Sequence, residues 1–166
     1  MEASTQPSST DRIQKKVHLR APRNRVWKAI SDSKQFGSWF GMKVEGPFTA
    51  NTTVKATIVP TTVDPEVAKE QKAFEGMPFE LYIERVEPER LFTFRWHPGA
   101  AQPKPEDPTT LVCFELEDAA DGILLTVTES GFDRIPLARR AKAFADNEGG
   151  WAAQMKLIEK YLAQAS

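Results

Sequence analysis

The sequence predicts a single α+β domain in which a curved antiparallel sheet of about seven strands wraps around a long C-terminal helix. Three observations predict this fold class. Segments that alternate apolar and polar residues recur along the chain, with short polar turns between them. One stretch near the C terminus carries apolar residues at steps of three and four. The length of 166 residues suits one domain with a continuous core.

Two short helices are predicted between the first and second strands. Alternation over residues 13–20 predicts the first strand, and Pro22 follows it in a position that suits the start of a helix. Apolar residues over 26–30 continue at helical spacing. Asp32 can cap a second short helix, which ends before Gly41.

The middle of the chain is expected to form the other strands of an antiparallel meander. The strand-like segments are 43–45, 52–59, 79–84, 92–96, 112–116 and 125–129. Asp121-Gly122 is typical of a hairpin turn. Two connections are long: 60–78, in which 64–74 can form a short helix, and the proline-rich 97–108. Long loops in a compact domain serve as lids or binding loops, or are tolerated surface insertions.

The last segment shows the clearest periodicity in the chain and predicts a helix of about 30 residues. One stripe of it contains Leu137, Ala141, Phe144, Glu148, Trp151, Met155, Ile158 and Leu162. Gly149-Gly150 interrupts the segment, which suggests a bend or a close approach to the sheet.

Composition excludes several classes of protein. Residues 1–11 lack the apolar content to order themselves, so a loose tail at 1–11 and one domain at 12–166 are expected. No segment resembles a secretory signal or a membrane span, which predicts a cytoplasmic location. The 22 basic and 23 acidic residues leave a charge of −1, which argues against nucleic acid as a partner.

Several kinds of chemistry have no support in the residues. Cys113 is the single cysteine and lies in a strand-like segment, where a buried inert thiol is expected. Two distant histidines and one cysteine give no metal-binding constellation, and no phosphate-binding loop or catalytic triad can be assigned. We therefore expect neither a metal nor a cofactor.

Two glutamates are the weak catalytic candidates, because the patterns place both among apolar residues. Glu129 follows the apolar face of its strand, and Glu148 occupies the stripe of the long helix. A carboxylate between sheet and helix must be paired, hydrogen-bonded or protonated. It could orient a ligand or act as a general base. Alternatively, it caps a backbone donor or pairs with Arg95, Arg139 or Arg140.

Apolar side chains are expected to wall a cavity between the sheet and the helix. Such residues are more often core than ligand contacts, and about half of the aromatic ones are expected to line the cavity. The ligand-binding candidates are Trp39, Phe40, Phe79, Phe94, Trp96, Glu129, Phe132, Phe144, Glu148, Trp151 and Met155. His97 lies at a strand end, as a polar group at the cavity mouth or as a solvated loop residue.

Six short motifs occur in order along the chain: APRNRVWKAISD at 21–32, WF at 39–40, VEPERL at 86–91, RW at 95–96, TVTESGF at 126–132 and NEGGW at 147–151. Together they resemble the START-like superfamily, in its heat-shock-protein-ATPase activator homologue branch, which is grouped with polyketide-cyclase-like proteins. The resemblance covers about residues 13–165. It implies a helix-grip architecture, but not one chemistry, since members bind lipids or hormones, act as cyclases, or have no assigned activity.

Three functions follow as hypotheses. The first is binding of a small hydrophobic or aromatic molecule in an internal cavity, for sequestration or transport. The second is a cyclase- or hydrolase-like enzyme that uses Glu129 or Glu148. The third is a co-chaperone-like interaction protein, which would present an exposed apolar patch outside the cavity mouth. A homodimer is compatible with the sequence, although no exterior coiled-coil seam supports one.

Overall fold

The computed structural model describes residues 12–98 and 107–164, and it confirms the predicted fold class. The strands are β1 (Arg12–Leu19), β2 (Met42–Val44), β3 (Thr52–Ile58), β4 (Pro78–Glu87), β5 (Leu91–Trp96), β6 (Thr110–Ala119) and β7 (Gly122–Ser130). The helices are α1 (Arg23–Ser31), α2 (Ser33–Phe40), α3 (Pro65–Gln71) and α4 (Leu137–Gln164), with short 3-10 helices at Lys72–Phe74 and Phe132–Arg134.

The sheet is a six-strand meander that the first strand extends at one edge. Its strand order is β1-β7-β6-β5-β4-β3-β2, and every neighbouring pair is antiparallel. Strands β2 to β7 are therefore neighbours in chain order, with α3 in the connection between β3 and β4, and β1 pairs with β7 from Ile123 to Ser130. The long helix α4 packs against β1, α1 and α2. The sheet and α4 thus enclose the core between them.

Local signals in the sequence position the two short helices. The Asp32 carboxylate accepts hydrogen bonds from the backbone N–H groups of Lys34 at 2.9 Å and Gln35 at 3.3 Å, so it caps α2 as predicted. Gly41 ends the same helix with a φ of 103°, a conformation that suits glycine. The indole of Trp39 donates to the Ala29 carbonyl at 2.8 Å and joins α2 to α1.

An aromatic cluster centred on Phe36 fills the core. Phe36 is fully buried, and its ring centroid lies within 6.4 Å of six other aromatic rings. These rings belong to Trp39, Phe40, Phe48, Phe92, Phe94 and Phe114. The cluster joins α2 to the central strands β5 and β6. Phe40, which stacks on Phe36 at 5.0 Å, reaches from this cluster to a cleft beside α4.

The predicted stripe of α4 is right in its second half and, apart from the partly buried Phe144, wrong in its first half. The side chains of Trp151, Met155, Ile158 and Leu162 are buried as predicted. Leu137 is instead 79% exposed, and Ala141 is exposed as well. The buried face runs back from Trp151 through Asn147 to Ala143. The predicted helical phase is wrong in this part of α4 because a polar residue, Asn147, occupies the inward position of its turn.

Further expectations concern the short helix in the 60–78 connection, the two glycines of α4 and the two segments expected to be irregular. The short helix predicted within 64–74 is confirmed as α3 and the turn after it. The helix α4 is continuous through Gly149 and Gly150. Neither glycine approaches the sheet, since a Cβ at either position would meet nothing within 4 Å among the described residues. The predicted tail at 1–11 and the loop residues 99–106 lie outside the described residues. None of the described helices is long and apolar enough to cross a membrane.

Helix α3 is fastened to α4 through its first turn. The Asp64 carboxylate accepts from the backbone N–H groups of Glu66 at 2.9 Å and Val67 at 3.1 Å. Its other oxygen pairs with the Lys160 ammonium at 2.8 Å. This hydrogen bond from Lys160, together with those from the backbone, lowers the pKa of Asp64. The contact holds α3 in place beside the cleft that its last residue, Gln71, borders.

Candidate functional site

A cleft of about 320 Å³ opens between the middle of α4, the end of α2 and the ends of β4 and β5. Its apolar lining residues are Phe40, Ile58, Phe74, Met77, Pro78, Phe79, Trp96 and Pro98. Its polar lining residues are Gln71, Glu80, His97, Asn147 and Gln154. A mostly apolar concave surface with a few polar groups is typical of a small-molecule site.

The cleft is joined at its floor to a smaller recess of about 80 Å³. The two share Phe40, Trp96, Asn147 and Gln154 among their lining residues. Trp151 borders the recess, with its ring centroid 5.9 Å from that of Trp96. Two indoles and one phenyl ring therefore form a nearly continuous aromatic floor.

The carboxylate of Glu129 lies directly behind this floor and is fully buried. Its Oε1 accepts from Trp151 Nε1 at 2.7 Å, and its Oε2 accepts from Trp96 Nε1 at 2.8 Å. Thr110 Oγ1 donates to Oε2, and Asn147 Nδ2 lies at 2.9 and 3.0 Å from the two oxygens. Four donors from three elements thus surround one acceptor group, which satisfies a buried carboxylate without a cation.

The environment predicted for Glu129 is right in kind but wrong in its partners. The residue is buried and hydrogen-bonded, as its position on the strand required. None of the arginines considered as partners contacts it. Arg95 pairs with Glu84 at 2.9 Å, and Arg140 donates to backbone carbonyls near its own helix start. Because the donors enclose Glu129 completely, its carboxylate holds the cleft floor rather than facing the cleft.

The interior position predicted for Glu148 is wrong. Its side chain is 53% exposed and lies 3.8 Å from the Lys15 ammonium of β1. The inward position of this helical turn belongs to the preceding residue, Asn147. A one-residue error in the helical phase rotates a side chain by about 100°, which is enough to move it from the interior to the solvent.

The other predicted ligand-binding residues divide into two groups. Four border the cleft or its recess: Phe40, Phe79, Trp96 and Trp151. The others lie elsewhere: Trp39 and Phe94 in the buried core, Phe132 and Phe144 packed on each other at 5.3 Å, and Met155 between α4 and β1. Four of the eight aromatic candidates thus border the cleft or its recess.

The polar rim of the cleft is a chain of three side chains. The Tyr82 hydroxyl lies 3.2 Å from Glu80 Oε1 and 3.1 Å from His97 Nε2. His97 Nδ1 in turn lies 3.2 Å from the Pro108 carbonyl oxygen. Burial, and then the neighbouring Glu80 carboxylate, raise the pKa of Tyr82. His97 is therefore a hydrogen-bonded group at the cleft mouth, the first of the two roles considered for it.

Two glutamines at the cleft were missed by the sequence reasoning. Gln71 Nε2 and Gln154 Nε2 both donate to the Phe40 carbonyl oxygen, each at 3.0 Å. Gln71 Oε1 accepts from the backbone N–H of Thr61 at 2.7 Å. Gln154 Oε1 is buried and has no hydrogen-bond partner among the described residues. A helical stripe phased on Trp151 predicts inward positions for Asn147 in the preceding turn and for Gln154 in the following turn.

Cys113 lies on β6 away from the cleft, and we predict that it reacts slowly with alkylating reagents. Burial, and then the Glu115 carboxylate, raise the pKa of its thiol to about 11. Below that pH the thiol stays protonated, so alkylation by iodoacetamide at pH 8 should be at least about tenfold slower than for free cysteine. The rate should rise with pH up to about 11. Reaction at the free-cysteine rate in the folded protein would contradict this.

Comparison with known proteins identifies relatives of this chain by sequence and by fold. The family model described as activator of Hsp90 ATPase homolog 1-like protein matches residues 20–163. No curated protein sequence matches the chain.

Solved structures share the fold at low sequence identity. Protein MLL2253 from Mesorhizobium loti is 17% identical with a TM-score of 0.70, covering 93% of this chain and 98% of that one. The Aha1 dimer from Colwellia psychrerythraea is 14% identical with a TM-score of 0.65, covering 91% and 95%. DynU16, from the dynemicin biosynthetic locus, is 23% identical with a TM-score of 0.66, covering 94% of this chain. The chain spans about half, 48%, of the length of DynU16.

Proposed function

This chain belongs to the family of activator of Hsp90 ATPase homolog 1-like proteins, and we propose that it binds a small, flat hydrophobic or aromatic molecule in the cleft between α4 and the sheet. The observation that carries the proposal is an apolar cleft whose indole floor is fixed in place by a buried carboxylate. Sequestration or transport of the ligand would need no further chemistry.

The dimensions and the surface of the cleft support a small ligand. Ligand sites usually enclose roughly 300–1,000 Å³, so a volume of about 320 Å³ suits a molecule of a few fused rings better than a long lipid. Phe74 and Met77 border the cleft with 54% and 37% of their surfaces exposed. A bound apolar molecule would cover part of this surface and gain roughly 25 cal/mol per Å² buried.

The alternative functions have less support at this site. Glu129 is enclosed by donors and Glu148 lies in solvent, so neither carboxylate suggested for a cyclase or hydrolase is placed to meet a ligand in the cleft. An interaction protein would expose an apolar patch outside the cleft mouth. Phe74 and Met77 belong to the cleft itself, and the exposed Leu137 stands at the start of α4. Ligand binding therefore explains the exposure of Phe74 and Met77 better than a protein-interaction role does.

Paired phenylalanine variants test the proposal. Phe79 and Phe144 are both partly buried, but Phe79 borders the cleft, whereas Phe144 packs on Phe132. We expect Phe79→Ala to weaken the binding of 2-methoxynaphthalene about tenfold, because an apolar contact worth about 1.5 kcal/mol is lost. Phe144→Ala should leave the dissociation constant within about twofold of the wild-type value. Isothermal titration calorimetry measures both.

Two results would contradict binding in this cleft. The first is an absence of binding by neutral two-ring aromatic compounds at millimolar concentration. The second is equal weakening by Phe79→Ala and Phe144→Ala in variants that keep the wild-type fold. Circular dichroism of both variants checks that they are folded.

A further inference from the structure

We infer that the cleft selects aromatic ligands that donate hydrogen bonds and carry no negative charge, with Asn147 as the specificity-determining residue. This inference rests on the proposed function and adds the chemical class of the ligand. It follows from a comparison of the polar lining atoms that already form hydrogen bonds within the protein with those that do not. The atoms left are hydrogen-bond acceptors, so the complementary group on the ligand is an N–H or O–H donor.

Glu129 determines which way the Asn147 amide faces. Asn147 Nδ2 donates to both carboxylate oxygens, at 2.9 and 3.0 Å. The amide nitrogen of Asn147 therefore bonds the buried carboxylate. A flipped amide would place its oxygen, an acceptor, against the carboxylate oxygens, which are also acceptors. Oδ1 is turned away from Glu129, on a side chain that borders both the cleft and the recess. It has no hydrogen-bond partner among the described residues.

Gln154 supplies a second acceptor two helical turns further along α4. Its Nε2 is engaged by the Phe40 carbonyl, and its Oε1 is buried without a donor in the described part of the chain. A buried acceptor is normally satisfied, so this oxygen is a place where a ligand donor or a water would be stabilised. Asn147 and Gln154 thus both border the recess, and each has an amide oxygen that no described residue bonds.

The charges around the cleft act in the same direction. Glu80 borders the cleft, and Asp146, which borders the recess, is paired with the Lys142 ammonium at 2.8 Å. Neither lysine nor arginine appears in the lining formed by residues 12–98 and 107–164. A carboxylate or phosphate on the ligand would therefore face amide oxygens and the Glu80 carboxylate in an apolar setting, which is unfavourable. A neutral hydroxyl or an ammonium group would instead be paired.

Four probes with one ring system separate these contributions. They are 2-naphthol, 2-(aminomethyl)naphthalene, 2-methoxynaphthalene and 2-naphthoate, each titrated calorimetrically into the wild-type protein. We expect 2-naphthol to bind about fivefold to tenfold more tightly than 2-methoxynaphthalene, which presents no donor. The ammonium probe should bind at least as tightly as 2-naphthol. The anionic 2-naphthoate should bind about tenfold more weakly than 2-methoxynaphthalene, or not at all.

Variants assign the selectivity to named residues. Asn147→Leu should reduce the preference for 2-naphthol over 2-methoxynaphthalene to about twofold or less. Asn24→Leu is the matched control, because it makes the same change at an exposed position of α1 that does not border the cleft. It should leave the preference unchanged. Glu80→Gln should weaken the ammonium probe by about twofold to fivefold relative to 2-naphthol. The ratio of two dissociation constants measured on the same variant is unaffected by a change in the aromatic floor that weakens both probes equally.

The outcomes distinguish this inference from the function on which it rests. Equal affinities of wild-type protein for 2-naphthol and 2-methoxynaphthalene, or tighter binding of 2-naphthoate, would overturn the inference while the proposed function stands. Failure of all four probes to bind would overturn both. A full preference for 2-naphthol retained in a folded Asn147→Leu variant would remove the assigned role of Asn147. If that variant does not fold, the wild-type series still decides the ligand class.

Discussion

Replacement of Glu129 by glutamine is expected to lower the free energy of unfolding by about 2–4 kcal/mol. The two indole N–H groups of Trp96 and Trp151 donate to different oxygens of the carboxylate. A glutamine offers only one oxygen, so one indole N–H would face the N–H₂ group of the new side chain. The variant therefore loses hydrogen bonds to a charged acceptor and leaves a buried donor unsatisfied.

The matched control for this experiment is Glu148→Gln. It makes the same chemical change in a residue that is half exposed and 3.8 Å from Lys15, where an ion pair contributes little. We expect its free energy of unfolding to stay within about 0.5 kcal/mol of the wild-type value. Urea denaturation followed by far-ultraviolet circular dichroism measures both variants. Equal stabilities of the Glu129 and Glu148 variants would contradict the organising role given to Glu129.

Substitution of Phe36 by alanine should destabilise the protein by about 3–5 kcal/mol. Phe36 is fully buried, and the six aromatic rings around it belong to α2, to the segment after β2 and to strands β5 and β6. Their backbones cannot close a space as large as a phenyl ring, so a cavity would remain. Phe40 stacks directly on Phe36, so this substitution should also loosen the cleft wall.

Phe74→Ala provides the comparison for Phe36→Ala. The Phe74 side chain is 54% exposed, so its loss should change the free energy of unfolding by about 0.5 kcal/mol or less. Thermal and urea denaturation report the difference. A loss below about 1 kcal/mol for Phe36→Ala would show that this cluster can repack, and the cleft wall would then lack the rigid support assigned to it.

The fold could be predicted from the sequence because its signals are local. Alternation over the strands, the Asp32 cap and the helical spacing from Trp151 to Leu162 each depend on residues near one another in the chain. These signals are strong enough to give the element order and the antiparallel meander. The family resemblance predicts how these elements assemble. The family match over residues 20–163 confirms that resemblance.

The site could be predicted only in part because its contacts join distant segments. Glu129 was identified as unusual from its strand alone, but its donors come from β5, β6 and α4. No local pattern indicates that Trp96 and Trp151 meet the same carboxylate. The phase of α4 failed at Asn147 for a related reason. The polar side chain of Asn147 points inward because it hydrogen-bonds the Glu129 carboxylate, which is distant in sequence. A search for apolar periodicity cannot identify such a position.

The exposed apolar rim is also a product of tertiary structure. Phe74 and Met77 lie in the connection that follows α3, where the sequence gives no periodicity to interpret. They border the cleft because the first turn of α3 is tied to α4 through Asp64 and Lys160. The long connection at 60–78, considered as a binding loop or a surface insertion, therefore contributes part of one cleft wall.

The measurement that tests the central claim most directly is a nitrogen-15 NMR titration with 2-naphthol that follows the four tryptophan indole N–H signals. Trp96 and Trp151 form the cleft floor, whereas Trp39 is buried against Ala29 and Trp27 lies on α1. The account predicts saturable shifts of the Trp96 and Trp151 signals, with those of Trp27 and Trp39 nearly unchanged. No shift at Trp96 and Trp151, or larger shifts at Trp27, would contradict a ligand-binding cleft on this floor.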